Sequence, residues 1–536
     1  MRERTNEVKV ERDVEVSASD GVTLLTDVYH PVGVDDAPTI LERTPYGRQT
    51  VSALLAPEFA ARGYRYVVQA CRGTDGSGGA HSYFAEAGDG RRAADWIAEQ
   101  SWFNGDLGTN GASYMGFTQW ALASMRPPHL KAMAIPLSSS VRSMSWYPGG
   151  SFALEMVFAW DAGATQFNKP VSTEEPMDMS PEALQRRVEA LKAGLDHLPL
   201  DDAIREHTGV DLQLWRDQLA HPRVDDPYWA AVDFSPFLEG WTVPTLLIDG
   251  WHDYPLPRLL EDFVDLRRSG APVRLRIGAG GHLGGGGEGS MTDATLDWFD
   301  TYLRGERGLL SPSPVSVHIQ GEGGGWRELD DWPPSADPVR WYLHEGGRLG
   351  TMPPANPAPP DRYRYDPTDP TPSFGGIGML SGGPTDNRSL EARPDVLVYT
   401  SEPLSEPLVV IGPVGAELCV SSSIDHCDFF VRLCDVHPDG RSINVCDGLR
   451  RLGPGSIRRG GDASFTVSVP MWPAGHRFAP GHRLRVQVSS GAHPVYARNL
   501  GTGEPLSSGT STRVADHAVY HEPGRLSSLT LPHASG

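Results

Sequence analysis

The chain has 536 residues, a formal net charge of −21, and 39 % apolar and 21 % charged residues. A length of this order suggests about three domains with ample core. The acidic balance argues against nucleic acid and anionic membrane as partners. No run of about 18 apolar residues is present, so no transmembrane helix is expected. The N-terminal stretch MRERTNEVKV lacks an apolar core and a small-residue cleavage site, so it does not read as a secretory leader. Five scattered cysteines, Cys71, Cys419, Cys427, Cys434 and Cys446, do not make a disulfide framework. Reduced thiols and no leader together predict a cytoplasmic protein.

In chain order, Val14 and Val16 alternate with polar neighbours, Ser19-Asp20-Gly21 turns, and Val22 to Tyr29 continues as strand. Thr39 to Thr44 is a strand ending in Pro45-Tyr46-Gly47. Tyr66 to Gln69 is a short buried strand, Arg91 to Gln100 a helix, Phe117 to Met125 a helix, and Lys131 to Pro136 a strand. This alternation predicts a mostly parallel sheet covered on both faces. After about Val141 the period becomes helical. Ser180-Pro181-Glu182 makes a helix start, with Leu184, Val188, Leu191 and Leu195 on one face. Leu212, Trp215 and Leu219 form a second stripe. The sheet resumes at Pro244 to Ile248 and Val273 to Ile277, followed by a helix from Asp293 to Arg304. Beyond about Gly308 short strands dominate: Val315 to Ile319, Val396 to Tyr399, Phe429 to Val436 and Leu484 to Val488. In the last, Leu484, Val486 and Val488 share one face. Pro353 to Pro360 reads as a loop inside this region.

The predicted architecture is an α/β domain with a mostly parallel sheet (residues 1–140 and 237–307), split by a helical cap (141–236) and followed by a C-terminal all-β sandwich or jelly roll (308–536).

The strongest chemical signal is Gly111-Ala112-Ser113-Tyr114-Met115-Gly116, between a strand and a helix. A sharp turn flanked by small residues can present a serine hydroxyl at the sheet's carboxyl edge. The second glycine comes three residues after the serine rather than two. A nucleophilic serine needs a base and the base an orienting acid. The loop after Pro244 to Ile248 offers Asp249 and Asp253 as acids and His252 as a base. The loop after Val273 to Ile277 offers His282. Spacing alone selects none of these.

These motifs resemble those of the CocE/NonD family of serine hydrolases, which includes esterases and X-Pro dipeptidyl-peptidases. The late-glycine elbow matches that family's version. Gly250-Trp251-His252-Asp253 matches its acid motif, and Pro45-Tyr46 its P-Y segment. The resemblance covers nearly the whole chain, through Trp146-Tyr147 and Trp160 in the cap to Arg498-Asn499 and Thr502-Gly503-Glu504 near the end. It implies Ser113 as nucleophile, His282 as base, Asp253 as its acid, and an oxyanion hole made by the Tyr46 hydroxyl and the Tyr114 N–H. The histidine loop, Gly278-Ala279-Gly280-Gly281-His282, is more glycine-rich than the family's. By the same resemblance Trp146 and Trp160 line an acyl pocket; helix packing is the alternative reading.

The expected activity is therefore hydrolysis of an ester or amide through an acyl-enzyme. X-Pro dipeptidyl-peptidase action and non-catalytic ligand binding are the alternatives. The expected partner is a small ester, amide or short peptide, with a homodimer allowed. No cofactor is expected. No metal is expected either, since His426, Cys427, Cys434, His437 and Cys446 lack paired ligand spacing. Cys71 beside Arg72 reads as a packed thiol, Ser77 as a turn residue, and Gly284 to Gly287 lacks the Lys-Ser/Thr of a phosphate loop.

Overall fold

The computed structural model describes residues 3–164, 191–284, 291–379, 382–457 and 464–533. Its first sheet has ten strands: β1 (Val8–Ser17), β2 (Thr23–Pro31), β3 (Thr39–Thr44), β4 (Arg65–Ala70), β5 (Leu107–Asn110), β6 (Leu130–Pro136), β7 (Thr245–Gly250), β8 (Val273–Gly278), β9 (Val315–Ile319) and β10 (Gly325–Leu329). Across the sheet they run β1-β2-β4-β3-β5-β6-β7-β8-β9-β10. Every pairing from β4 to β9 is parallel, and antiparallel strands close both edges.

Nine helices matter for the site. α1 (Ser52–Ala61), α2 (Glu86–Ala98) and α3 (Tyr114–Ser124) precede the cap. α4 (Arg142–Trp146), α5 (Leu154–Ala164), α6 (Leu200–Thr208) and α7 (Gln213–Ala220) belong to it, and α8 (Leu256–Ser269) and α9 (Met291–Arg304) follow. The strand pleat explains how both faces are covered, because successive side chains point to opposite sides. Ile40, Tyr66, Val68, Ala132, Ala134, Leu246 and Ile248 pack with Phe59 of α1 and Phe299 of α9. Their neighbours Leu41, Val67, Met133, Ile135 and Leu247 face the other way, in one core with Ile97 of α2, Trp120 of α3 and Phe263 of α8.

Helix α2 starts five residues before the predicted Arg91. Ser82 caps a short 3₁₀ turn ahead of it, and Glu86 and Asp89 fill its first turn. Gly88 and Gly90 make that start read as loop. In the cap, Trp215 and Leu219 are buried as the stripe predicts, and so is Leu195. Ser180-Pro181-Glu182, Leu184 and Val188 lie outside the described residues.

A larger difference concerns Val315 to Ile319, predicted as the first strand of the β-domain. It pairs in parallel with β8 instead, and β10 pairs with it. The first sheet therefore runs past residue 308, because β8 would otherwise leave an open edge.

The rest of the C-terminal part is all-β, thirteen strands in one paired network among the described residues. The Pro353–Pro360 segment is a loop between two of its strands. The strand Cys427–Val436 is buried throughout, held between Ser442–Leu452 and Arg483–Ser489. Leu484, Val486 and Val488 are buried as expected, while Gln487 on the opposite face is buried too and donates to Glu391. This part docks on the cap: the Glu155 N–H donates to the Pro494 carbonyl at 2.9 Å, and the Ala497 N–H to that of Phe152 at 2.8 Å. No helix among the described residues is long and apolar enough to cross a membrane.

Candidate active site

In an open α/β sheet, chemistry collects beyond the carboxyl ends of the strands, around the point where strand order reverses. Here β4 lies on one side of β3 and β5 on the other, so the reversal falls between β3 and β5. Tyr46 follows β3, Ser113 follows β5, Arg142 follows β6, Asp253 follows β7 and His282 follows β8. Five adjacent parallel strands thus deliver five side chains to one edge.

Ser113 sits on the turn between β5 and α3 with φ 59° and ψ −121°. A β-carbon rarely tolerates that conformation, and such strain concentrates at functional turns. The two glycines make the turn sterically feasible. A Cβ on Gly111 would come within 2.5 Å of Met115 Cβ. A Cβ on Gly116 would come equally close to Ser138 Cβ. The late glycine is thus the point where α3 packs on the loop after β6. As the first residue of α3, Tyr114 has an N–H without a partner inside its own helix. Its hydroxyl donates to Glu86, which pairs with the buried Arg43.

The Ser113 hydroxyl lies 2.8 Å from His282 Nε2. His282 Nδ1 lies 2.9 and 3.0 Å from the two carboxylate oxygens of Asp253. All of this is buried: Asp253 is inaccessible and His282 is 8 % exposed. Burial pulls His282 down to about 4, so the resting ring is a neutral imidazole, the form that accepts a proton. Asp249 and Asp253 form a tight couple in which burial raises both carboxyls. Asp249 is raised further by its neighbour and hydrogen-bonds to it, and that bond lowers Asp253. The proton of the couple therefore rests on Asp249, which leaves Asp253 ionised beside the imidazole.

The rivals left open by spacing separate in space. His252 faces Gln320 at 3.1 Å, away from Ser113. Asp249 touches Asp253 and the Gly250 N–H rather than the imidazole. Tyr46 has its phenol raised by burial, with hydrogen bonds to Trp160 and Ser113 opposing. The Trp160 indole donates to the Tyr46 hydroxyl at 3.2 Å and its ring stacks on Tyr114. Trp146 donates to Gln218. Both tryptophans line the cleft at Ser113.

Sequence reasoning missed three residues. Tyr254, next to Asp253, places its hydroxyl 3.4 Å from His282 Nε2. Trp472, from the β-domain, donates to the Asp253 carbonyl at 3.1 Å. Asp249, a candidate acid by spacing, lies beside Asp253 rather than at the imidazole. Arg142 lines the cleft; its position just after a parallel strand was the available signal.

Elsewhere, Asp435, His437 and His482 hold potential ligand atoms within 4.8 Å of one another. Both Asp435 oxygens already pair, one with His476 and one with His482, and no cysteine belongs to the group. Cys71 is fully buried with its thiol pushed well up by burial, which suits packing rather than reactivity. The Ser77 hydroxyl donates to the Ala70 carbonyl and accepts from the Leu25 N–H of the second strand.

Fold and site together define a serine hydrolase of the α/β-hydrolase class. Residues 20–284 match the X-Pro dipeptidyl-peptidase (S15 family) model and residues 308–530 the X-Pro dipeptidyl-peptidase C-terminal non-catalytic domain. The chain is 32 % identical to cocaine esterase of Rhodococcus sp. (strain MB1 Bresler), over 98 % of each chain. Among solved structures it resembles an aminopeptidase from a marine sediment Thaumarchaeota archaeon (TM-score 0.83, 25 % identity, 100 % of this chain and 97 % of that one). A CocE/NonD family hydrolase from Staphylococcus aureus shares the fold (TM-score 0.71, 19 % identity, 98 % and 94 %). The chain belongs to the CocE/NonD family of serine hydrolases.

Proposed function

We propose that the protein is an acyl esterase in which Ser113 is the nucleophile. The observation that carries this reading is the continuous relay from Ser113 through His282 to Asp253, at 2.8 and 2.9 Å. His282 Nε2 takes the hydroxyl proton as Ser113 attacks the ester carbonyl. Asp253 holds the ring in the Nδ1–H tautomer and stabilises the imidazolium that forms. The Tyr46 hydroxyl and the Tyr114 N–H receive the oxyanion; such donors are worth about 10²–10³ in rate each. His282 then protonates the leaving alcohol, and water repeats the sequence on the acyl-enzyme. Trp146 and Trp160 wall the acyl pocket.

The family also contains peptidases, so the substrate is a small molecule or a short peptide. Releasing an X-Pro dipeptide requires an acidic or amide group near the cleft to hold a free ammonium. The charged side chain lining the cleft among the described residues is Arg142, a cation, which favours the esterase. None of the five cysteines forms a disulfide, in keeping with a reducing, cytoplasmic setting.

The test is hydrolysis of a panel of short-chain and aromatic p-nitrophenyl esters beside an X-Pro anilide. Ester turnover is expected to dominate and to fall by about three decades or more in Ser113→Ala. Dominant anilide turnover would make the protein a peptidase. Full activity in Ser113→Ala would reject the nucleophile.

A further inference from the structure

Arg142 opens α4 in the loop after β6 and is 8 % exposed. Aromatic rings surround its guanidinium. The guanidinium carbon lies 3.9 Å from the ring centre of Tyr83, 4.3 Å from Trp146, 4.7 Å from Phe117, 5.3 Å from Tyr114 and 5.6 Å from Trp160. Ring faces attract a cation but accept no strong hydrogen bond. Among the described residues no carboxylate or carbonyl pairs with this guanidinium, and its buried Nε has no acceptor.

Other buried arginines among the described residues each have a carboxylate or carbonyl partner. Arg43, Arg48, Arg258 and Arg432 are paired with Glu86, Asp27, Asp262 and Asp447. Arg65 places its donors on the Ala37 and Trp102 carbonyls. A buried cation without a counter-ion is costly, and proteins pair it or give it a ligand. A nearby carboxyl that senses Arg142 is Asp161 on α5, fully buried. Burial pushes it up to about 8, and it accepts from the Gln218 amide at 3.1 Å rather than pairing with the guanidinium.

The cleft that Arg142 shares with Ser113 is also rich in hydroxyls. Ser138, Ser139 and Ser145 line it, and none of their hydroxyls has a hydrogen bond among the described residues. A pocket built for a purely hydrocarbon acyl group would have no use for a guanidinium and three uncommitted donors, since unpaired polar groups weaken apolar binding. A planar guanidinium beside hydroxyl donors is the arrangement that recognises a carboxylate.

We propose that Arg142, with Ser138, Ser139 and Ser145, is a specificity site for a carboxylate on the acyl part of the substrate, which makes half-esters of short dicarboxylic acids the preferred substrate class. The proposal rests on Ser113 being the nucleophile. It assigns Arg142 to substrate binding, outside the proton relay.

The experiment compares monomethyl succinate with methyl butyrate, an ester of similar length whose acyl chain ends in methyl, by titrating the acid released. The wild type is expected to show the higher kcat/KM for monomethyl succinate. Arg142→Gln should lower the ratio of the two kcat/KM values by about 10²-fold, the loss typical of removing one partner of a desolvated charged pair. Arg142→Lys, which keeps the charge without the fork, should retain part of the preference. A wild type that prefers methyl butyrate, or a ratio unchanged in both variants, overturns the proposal.

Calorimetric titration of the unmodified protein with pentanoate and glutarate, neither of which carries an ester to be cleaved, supplies a readout independent of turnover and of any variant's folding. Saturable binding of the monoanion supports the site even if Ser113→Ala shows that the nucleophile lies elsewhere. No binding of either anion overturns it, whatever the nucleophile is.

Discussion

At the scale of single residues, the site depends on where two protons reside. Asp253 serves His282 only as a carboxylate, yet it is fully buried, which alone would favour its neutral form. The hydrogen bond from protonated Asp249 offsets this by lowering Asp253. The sign of the consequence follows directly. In the proposed relay, activity requires ionised Asp253, so kcat/KM is lost as pH falls through the titration of the couple. Because burial raises both carboxyls, that acid limb lies above the ordinary carboxylate value of about 4. Asp249→Ala removes the stabilising donor, so the limb moves to higher pH. Asp249→Asn keeps an N–H donor and leaves it nearly in place. A pH profile of kcat/KM for the three proteins checks this; a limb that moves to lower pH in Asp249→Ala would mean that Asp249 carries a charge.

At the scale of elements, the strand–turn–helix unit of β5 and α3 sets the position of Ser113 and of the Tyr114 N–H at once. The elbow is held from outside by the contact between Gly116 and Ser138 on the loop after β6. That loop also carries Arg142, so one contact links the elbow to the wall of the cleft. Gly116→Ala inserts a methyl into a 2.5 Å gap. Overpacking of this kind costs about 1–3 kcal/mol. The expected result is a lower denaturant midpoint with an unchanged slope, and a fall in kcat, since the elbow must shift to make room. A variant with wild-type kcat would show that the loop yields instead of the elbow.

At the scale of the whole molecule, the site is assembled from three parts of the chain. The α/β sheet supplies the relay, the cap supplies Trp146 and Trp160, and the β-domain reaches in through Trp472, whose indole holds the Asp253 carbonyl. This hydrogen bond fixes the loop that carries the acid. Trp472→Phe removes the donor and keeps most of the ring. Loss of one such bond is worth about 1 kcal/mol. A five- to tenfold fall in kcat/KM, about what that energy allows, is therefore expected, with the thermal midpoint little changed. An unaltered kcat/KM would reduce the β-domain's role at the site to packing.

The sequence by itself determined the features that are local or periodic. Apolar runs bounded by turn residues located the parallel strands to within a residue or two. The glycine spacing located the elbow, and the order of strand-end loops limited the acid and base to a few candidates. Those features are legible because backbone geometry and side-chain alternation act over a few neighbouring residues. Tertiary structure alone decided what depends on convergence. It separated His252 from His282, set Asp249 beside Asp253, drew β9 and β10 into the first sheet, and placed Arg142 among five aromatic rings, four of them from other elements. No local pattern encodes those outcomes, because the burial and charge environment of a side chain is set by residues remote in the chain.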